Sequence, residues 1–322
     1  MKKLSIIVAA YNVEHYIEEC LNSIVNLGLK NEIEVIVIND GSKDETLNII
    51  NSFNDVNIRV INIENSGVSV VRNTGILEST GDYIYFIDGD DSISNLDFID
   101  FFKKIDQGFD VLIGGYNTYI SKNKGYKSVT GNFKGVDCSD GLDILNKYFM
   151  KEFETAVWRI LVKREVIINN NIFFTKDIII AEDAEWLVKL LIVSKRVYFD
   201  NSKKIYNYRL REGSVMRSKF NEKKFDSLLY VAYSIKNFST QKKVNLYIIN
   251  KYVLSLVMQA LVFSNHKINN IQFKKIKEIL VDLRLFYFKP LLVGFLIYNF
   301  PRISKYFLKI RFKIYNLRNK TY

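Results

Sequence analysis

Asp88-Gly89-Asp90-Asp91 sets three carboxylates around one glycine, directly after the apolar run Tyr83-Ile84-Tyr85-Phe86-Ile87. The run reads as a buried strand, so the acids fall at a strand's end, where open α/β sheets bind ligands. Asp88 and Asp90 lie two apart, and Gly89 permits a tight turn that aims both at one point. Two hard oxygen donors suit Mg²⁺ or Mn²⁺ shared with a phosphate, because the metal offsets repulsion between carboxylates and a diphosphate. A solvated acidic turn is the plain alternative, since Asp-Gly is a common loop signal. Two further residues suit a nucleotide base: the ring of Tyr11 for stacking, and the carboxylate of Asp40 to accept the N3–H of uracil or thymine. A packed ring and a turn or helix cap are the competing readings.

The elements that must position these residues alternate. Residues 4–10 are a continuous apolar strand, and Val13 to Val25 carries apolar residues at helical spacing. Strand Ile33–Ile38 leads to helix Asp44–Phe53, strand Ile58–Ile63 to helix Gly67–Leu77, and then comes the Tyr83 strand. Short connections between such units imply a doubly wound, mostly parallel, Rossmann-like α/β sheet with its loops gathered along the strand ends. Neither G-x-G-x-x-G nor G-x-x-x-x-G-K-[ST] is present, so a nucleotide would be held by side chains and a metal.

Composition narrows the class. With 322 residues and 48% hydrophobic content the chain can bury a large core. Cys20 and Cys138 form no paired motif and fit a reducing compartment, and His15 and His266 are too few for histidine-based chemistry. The apolar run at the N-terminus stops at Ala10 and reads as a first strand, not a signal peptide. The net charge of +11 is uneven: residues 219–322 carry +16 and residues 1–218 carry −5. That split separates a mildly acidic domain for the chemistry from a basic segment for an anionic surface.

Four segments in order, Leu4 to Asn12, Ile36 to Asp44, Gly67 to Gly75 and Phe86 to Asp91, resemble the family 2 glycosyltransferases of the GT-A fold, the bacterial-type enzymes of cell-surface polysaccharide synthesis. The resemblance implies a UDP- or dTDP-sugar donor contacted by Ala10, Tyr11, Asn12, Asp40, Arg72, Asp88, Gly89 and Asp90. It implies a divalent cation, Mn or Mg, at Asp88 and Asp90 as a DXD motif, inversion at the anomeric carbon, and Arg72 near the diphosphate. Ala181-Glu182-Asp183-Ala184-Glu185-Trp186 resembles the family's Glu-Asp-x-x-Trp element, which makes Asp183 the general base. Helix capping by Glu182 and Asp183 is compatible with that role. Thr155 to Leu161 resembles the acceptor-side segment, but Arg159-Ile160 stand where relatives often have Asn-Lys. Trp158, Glu182, Trp186, Arg211 and Arg217 are candidate acceptor or diphosphate contacts, with core packing the competing reading for Trp158. The loop at Arg209–Ser218 has no histidine, so no third protein ligand is assigned.

Residues 96–115 complete the donor half with a helix and the strand Val111–Gly115, and Tyr116 to Lys134 reads as a β excursion or mobile loop. Helices are expected over 139–150, 182–193, 223–238, 244–263 and 271–286, with strand-like pieces at 196–199 and 204–208. From Ile303 to Leu317 apolar residues repeat on one face among Lys305, Lys309 and Lys313, suiting the headgroup region of an anionic membrane. A homodimer interface is the alternative occupant, and no nucleic acid is expected. The expected domains are a GT-A catalytic domain at 1–218 (donor half 1–115, acceptor half 116–218) and a helical, basic C-terminal extension at 219–322. The expected activity is an inverting, metal-dependent hexosyltransferase acting on a growing, lipid-linked surface glycan. It would work from the cytoplasm, peripheral on the inner membrane face. A catalytically silent nucleotide-sugar- or glycan-binding scaffold is the rival.

Overall fold

The structure, a computed structural model, describes residues 2–53, 57–119, 125–129, 133–154, 156–210, 221–244, 246–263 and 269–281. β1 (Leu4–Ala10) leads to α1 (Ile17–Val25), β2 (Ile33–Asp40) to α2 (Thr46–Asn51), and β3 (Ile58–Ile63) to α3 (Val68–Glu78). β4 (Tyr83–Asp88), β5 (Ser92–Ile93) and α4 (Asn95–Phe102) follow, then β6 (Val111–Tyr119), β7 (Tyr126–Ser128), β8 (Gly135–Ser139) and α5 (Gly141–Phe149). β9 (Ile160–Lys163), α6 (Arg164–Asn170), α7 (Glu182–Val193) and β10 (Val197–Arg209) complete the sheet and its cover. α8 (Glu222–Gln241), α9 (Leu246–Phe263) and α10 (Asn270–Val281) come last.

The ten strands among the described residues form one sheet with the central order β3-β2-β1-β4-β9-β6-β10-β5. Its first four strands pair in parallel. Leu4, Ile6, Ile7 and Val8 are all buried, so both faces of β1 are covered and its sequence is an unbroken apolar run. β9 runs antiparallel to both neighbours, β4 and β6. Residues entering β9 therefore arrive at the sheet edge from which β4 leaves.

Several boundaries differ from the periodicity, each for a local reason. α1 begins at Ile17 rather than Val13, because the Val13 and Glu14 N–H groups donate to Thr46 Oγ1 (2.8 Å) and Asp44 Oδ2 (3.2 Å). Asp44 likewise stands outside α2, accepting from Thr46 N at 3.1 Å. β6 runs on to Tyr119 and β7 pairs back on it, so the described part of the stretch from Tyr116 takes the β excursion of its two expected forms. The two strand-like pieces near residue 200 are one thirteen-residue strand, β10, whose register against β6 shifts between Asp200 and Tyr206. Asp200 stabilises that irregularity by accepting from Ser202 N (2.9 Å), and at Gly115 opposite a Cβ would overlap Asn201 O.

Two compact units emerge, one within residues 1–177 and 182–215, the other within 178–181 and 216–322. In the second, Phe225, Leu229, Ala232 and Ile235 of α8 are buried, as are Ile249, Val253 and Val257 of α9 and Ile276 and Ile279 of α10. No helix among the described residues is long and apolar enough to cross a membrane. The expected amphipathic stretch at 303–317 and the distal part of the helix expected to reach 286 lie outside the described residues.

Candidate active site

The turn after β4 is pinned to the sheet by its backbone. Gly89 N donates to Ala9 O at 2.8 Å, and Asp91 N to Asp88 O at 3.0 Å. A Cβ on Gly89 would come 3.0 Å from Ala9 O and 3.2 Å from both Val13 and Ile17 side chains. Glycine thus suits the close approach to β1, where a Cβ would push its neighbours by a few tenths of an ångström, and not a left-handed φ, which Gly89 does not adopt. Asp88 and Asp90 are partly exposed, whereas Asp91 is buried at 1% exposure. Asp91 turns away into the protein, where Tyr206 Oη and Arg209 N each donate to its carboxylate at 2.6 Å. Burial pushes the Asp91 carboxyl well above the usual range, the neighbouring Asp90 and Asp88 adding to the effect.

Arg72, on α3, is 4% exposed and reaches across this turn. Its Nη1 donates to Asp183 Oδ1 at 2.7 Å, and its Nη2 lies 3.5 Å from Asp88 Oδ1. Its Nε has no hydrogen-bond partner among the described residues. Burial works against the charged guanidinium, but Asp183 and Asp88 outweigh it and push the Arg72 pKa upward. Asp88 is pushed up to about 6, chiefly by burial against the opposing pull of Arg72, with Asp90 and Asp183 adding. Glu182 is raised as well, by burial and then by Asp183. Glu182 and Asp183 form the first turn of α7, as expected of acidic helix caps.

Phe174 holds Arg72 from another side, its ring 5.3 Å from the guanidinium carbon. Asn73 fixes Phe174 by donating from Nδ2 to its carbonyl and accepting its N–H, both at 2.8 Å. Trp186 stacks on Phe174 with centroids 5.0 Å apart and planes 7° from parallel. At 1% exposure Trp186 packs in the core, stacked on Phe174 and meeting Phe86 edge-on.

After β1, Tyr11 is 46% exposed, next to buried Ala10. Asn12 has φ +50°, donates its N–H to Ser42 Oγ (3.0 Å) and accepts from Lys43 N (2.9 Å), bracing the loops after β1 and β2. Asp40 is buried, its two oxygens accepting from Ser66 N (2.7 Å) and Gly67 N (3.0 Å). It anchors the loop that enters α3, and a base N–H would use the second lone pair of an oxygen already engaged.

Trp158 lies in a 3-10 turn entering β9, half-buried and stacked on Tyr206 at 4.3 Å and 11°. Arg159 beside it is a structural cation, donating to Gly114 O (2.8 Å), Glu154 O (2.9 Å) and Asn201 Oδ1 (3.0 Å). Burial pulls its pKa down to about 10. Arg211 and Arg217 lie outside the described residues. The chain alone offers no group of three or more metal-ligating side chains among the described residues. Asp88 and Asp90 fit a Mg²⁺ or Mn²⁺ completed by phosphate oxygens and water, the usual ligation of such ions at nucleotides.

Comparison with known proteins gives the family of the chain. Residues 5–164 match the family described as glycosyl transferase family 2. Glycosyltransferase GlyG of Streptococcus pneumoniae is 30% identical over 229 residues, 68% of this chain and 74% of that protein. Glycosyltransferase GlyA of the same species is 33% identical over 225 residues, 67% of this chain but 32% of GlyA. Staphylococcus aureus TarS, named a poly(ribitol-phosphate) beta-N-acetylglucosaminyltransferase, is 30% identical over 232 residues, 68% of this chain and 38% of TarS. A crystal structure of TarS residues 1–349 with UDP-GlcNAc superposes with a TM-score of 0.72 at 22% identity, covering 97% of this chain and 91% of that one. The chain belongs to glycosyltransferase family 2 and has the GT-A fold. The aligned region takes up about a third of GlyA and of TarS.

Proposed function

We propose that this glycosyltransferase is inverting and metal-dependent, moving a sugar from a UDP- or dTDP-sugar to a hydroxyl of a growing, lipid-linked surface glycan. The observation that carries this reading is Arg72, buried between Asp88 of the β4 turn and Asp183 of α7. One guanidinium thus gathers the carboxylate expected at the donor and the carboxylate expected at the acceptor.

Each residue then has a task. Tyr11 offers a ring to the base, and Asn12 and Asp40 shape the loops beneath it. Asp88 and Asp90 would hold the divalent cation, which when bound neutralises the diphosphate as it leaves. Asp183 takes the proton from the attacking hydroxyl, and the Arg72 hydrogen bond holds that carboxylate in place. No carboxylate nucleophile is required, consistent with a single displacement and inversion.

The names of the relatives support a surface-polymer acceptor: TarS is named for poly(ribitol-phosphate), and its crystal structure holds UDP-GlcNAc. The +16 charge of residues 219–322 supports work at an anionic membrane face, with a homodimer contact as the alternative use of the same segment. The test is a screen of UDP- and dTDP-sugars with and without Mn²⁺, reading nucleotide release and thermal shift. One donor should be hydrolysed slowly in a metal-dependent manner and raise the melting temperature. Binding with neither hydrolysis nor transfer to any acceptor preparation would favour a silent scaffold.

A further inference from the structure

Strand β10 meets each of the three acidic residues of the β4 turn from behind. Asp88 N donates to Tyr206 Oη at 3.3 Å, and Tyr206 Oη donates to Asp91 Oδ2 at 2.6 Å. Arg209 N donates to Asp91 Oδ1 at 2.6 Å, and Arg209 Nε donates to Asp90 O at 2.8 Å. Asp91 and Tyr206 are both fully enclosed, at 1% and 0% exposure, so water does not compete for these contacts. Arg209 is itself fixed, its guanidinium carbon 4.8 Å from the Tyr16 ring and 4.4 Å from the Tyr119 ring, with Glu19 Oε2 2.9 Å from its Nη2.

Three adjacent carboxylates repel one another, and a glycine-containing turn yields to that repulsion unless something holds it. Here a phenol and a strand-end arginine hold it. The Tyr206 ring is in turn clamped on Trp158, 4.3 Å away and 11° from parallel, with Tyr208 5.5 Å from the same indole. Tyr206 therefore ties the turn bearing Asp88 and Asp90 to the segment entering β9.

We propose that Tyr206 is a positioning residue for the metal site, its hydroxyl holding the Asp88–Asp91 turn so that Asp88 and Asp90 present their carboxylates together. It touches neither substrate nor cation and acts through Asp91 and the Asp88 backbone. The proposal rests on the reading that Asp88 and Asp90 hold a divalent cation.

The test compares full-length wild type, Tyr206→Phe, Asp91→Asn and the double variant by calorimetry of UDP binding across a Mn²⁺ titration, with Mn²⁺ electron paramagnetic resonance as a second readout. Phenylalanine keeps the ring on Trp158 and removes only the hydroxyl, so near-UV circular dichroism should be retained. Loss of one buried hydrogen bond corresponds to a rise of about tenfold in the Mn²⁺ concentration needed for half-maximal UDP binding. Donor affinity at saturating Mn²⁺ should stay within about twofold, and the two substitutions should be less than additive because they break one linkage. A purely structural role would lower the melting temperature of Tyr206→Phe and leave the Mn²⁺ dependence of the folded protein unchanged, which overturns the proposal. If wild type itself binds UDP without regard to Mn²⁺, the metal reading fails and this proposal with it. Metal-dependent binding in wild type with an unshifted Tyr206→Phe titration overturns this proposal alone.

Discussion

Arg72 and Asp183, 111 residues apart in sequence, meet in an ion pair of 2.7 Å with the guanidinium almost wholly buried. The same guanidinium lies 3.5 Å from Asp88, so removing it leaves two recessed carboxylates without their cation. Arg72→Ala should cost on the order of 3 kcal/mol at pH 7 by chemical denaturation, toward the lower end for a broken buried pair because both carboxylates keep some solvent.

A pH signature accompanies that loss. Asp88 has an ordinary value near 3.8 and stands at about 6 in the folded protein, so between those values the folded chain binds the extra proton. Stability of the metal-free enzyme from this group therefore falls as pH rises from about 4 to about 6. Asp88→Asn should flatten that part of the stability profile, and Arg72→Ala should steepen it and extend it upward. An Asp88→Asn profile that differs from wild type in no part of this window would contradict the assignment.

Asp90→Asn removes one of the two carboxylates offered to the cation. On the proposed metal-dependent mechanism, UDP binding by this variant should become weak and insensitive to Mn²⁺, and transfer should nearly vanish. Calorimetry reads both effects, and an unchanged metal-dependent affinity would exclude Asp90 from the metal site.

Asp183→Asn separates chemistry from binding. The amide keeps an oxygen for Arg72 but cannot take a proton, so donor affinity should change little while turnover falls by roughly 10²-fold or more. Near wild-type turnover with the true acceptor would reduce Asp183 to a helix cap.

The charge of +16 after residue 218 predicts peripheral attachment to anionic bilayers, each basic group near the surface adding about 1 kcal/mol and losing it to salt. Truncation before Lys289 should release the enzyme from anionic vesicles in cosedimentation while donor hydrolysis persists. Equal binding to neutral and anionic vesicles at high salt would point to apolar insertion instead, and binding to neither would favour a protein interface.

The donor side was legible in the sequence because its signals are local. β1, β2 and β4 are buried on both faces and read as unbroken apolar runs, and their terminal Tyr11, Asp40 and Asp88 follow directly. What was not legible depends on distant partners. Four residues, Ile160–Lys163, are too few to show a period, so β9 and its place between β4 and β6 were missed. Asp91 looked like a third member of an acidic turn, but its partners Tyr206 and Arg209 lie 115 and 118 residues away. Asn73 carried a signal, sitting beside Arg72 in the motif, yet nothing in its neighbourhood named Phe174 as the group it fixes. The packing of Trp186 was hidden for a related reason: its acidic neighbours Glu182 and Asp183 open the helix, while Phe174, on which the indole stacks, lies outside that helix.

The long separation between the β4 turn and β10 has a consequence during synthesis. At about 5 to 20 residues per second, the ribosome needs on the order of 6 to 24 seconds to travel the 118 residues from Asp91 to Arg209. For most of that time β9 is also missing, and the apolar strand Tyr83–Asp88 stands as an open edge able to pair with a neighbouring chain. A fragment ending at Gly115 should accordingly sediment as aggregate, because its partners for β4 and for the acidic turn are encoded downstream. The nascent enzyme is thus most in need of chaperone cover while its donor-binding motifs are already complete.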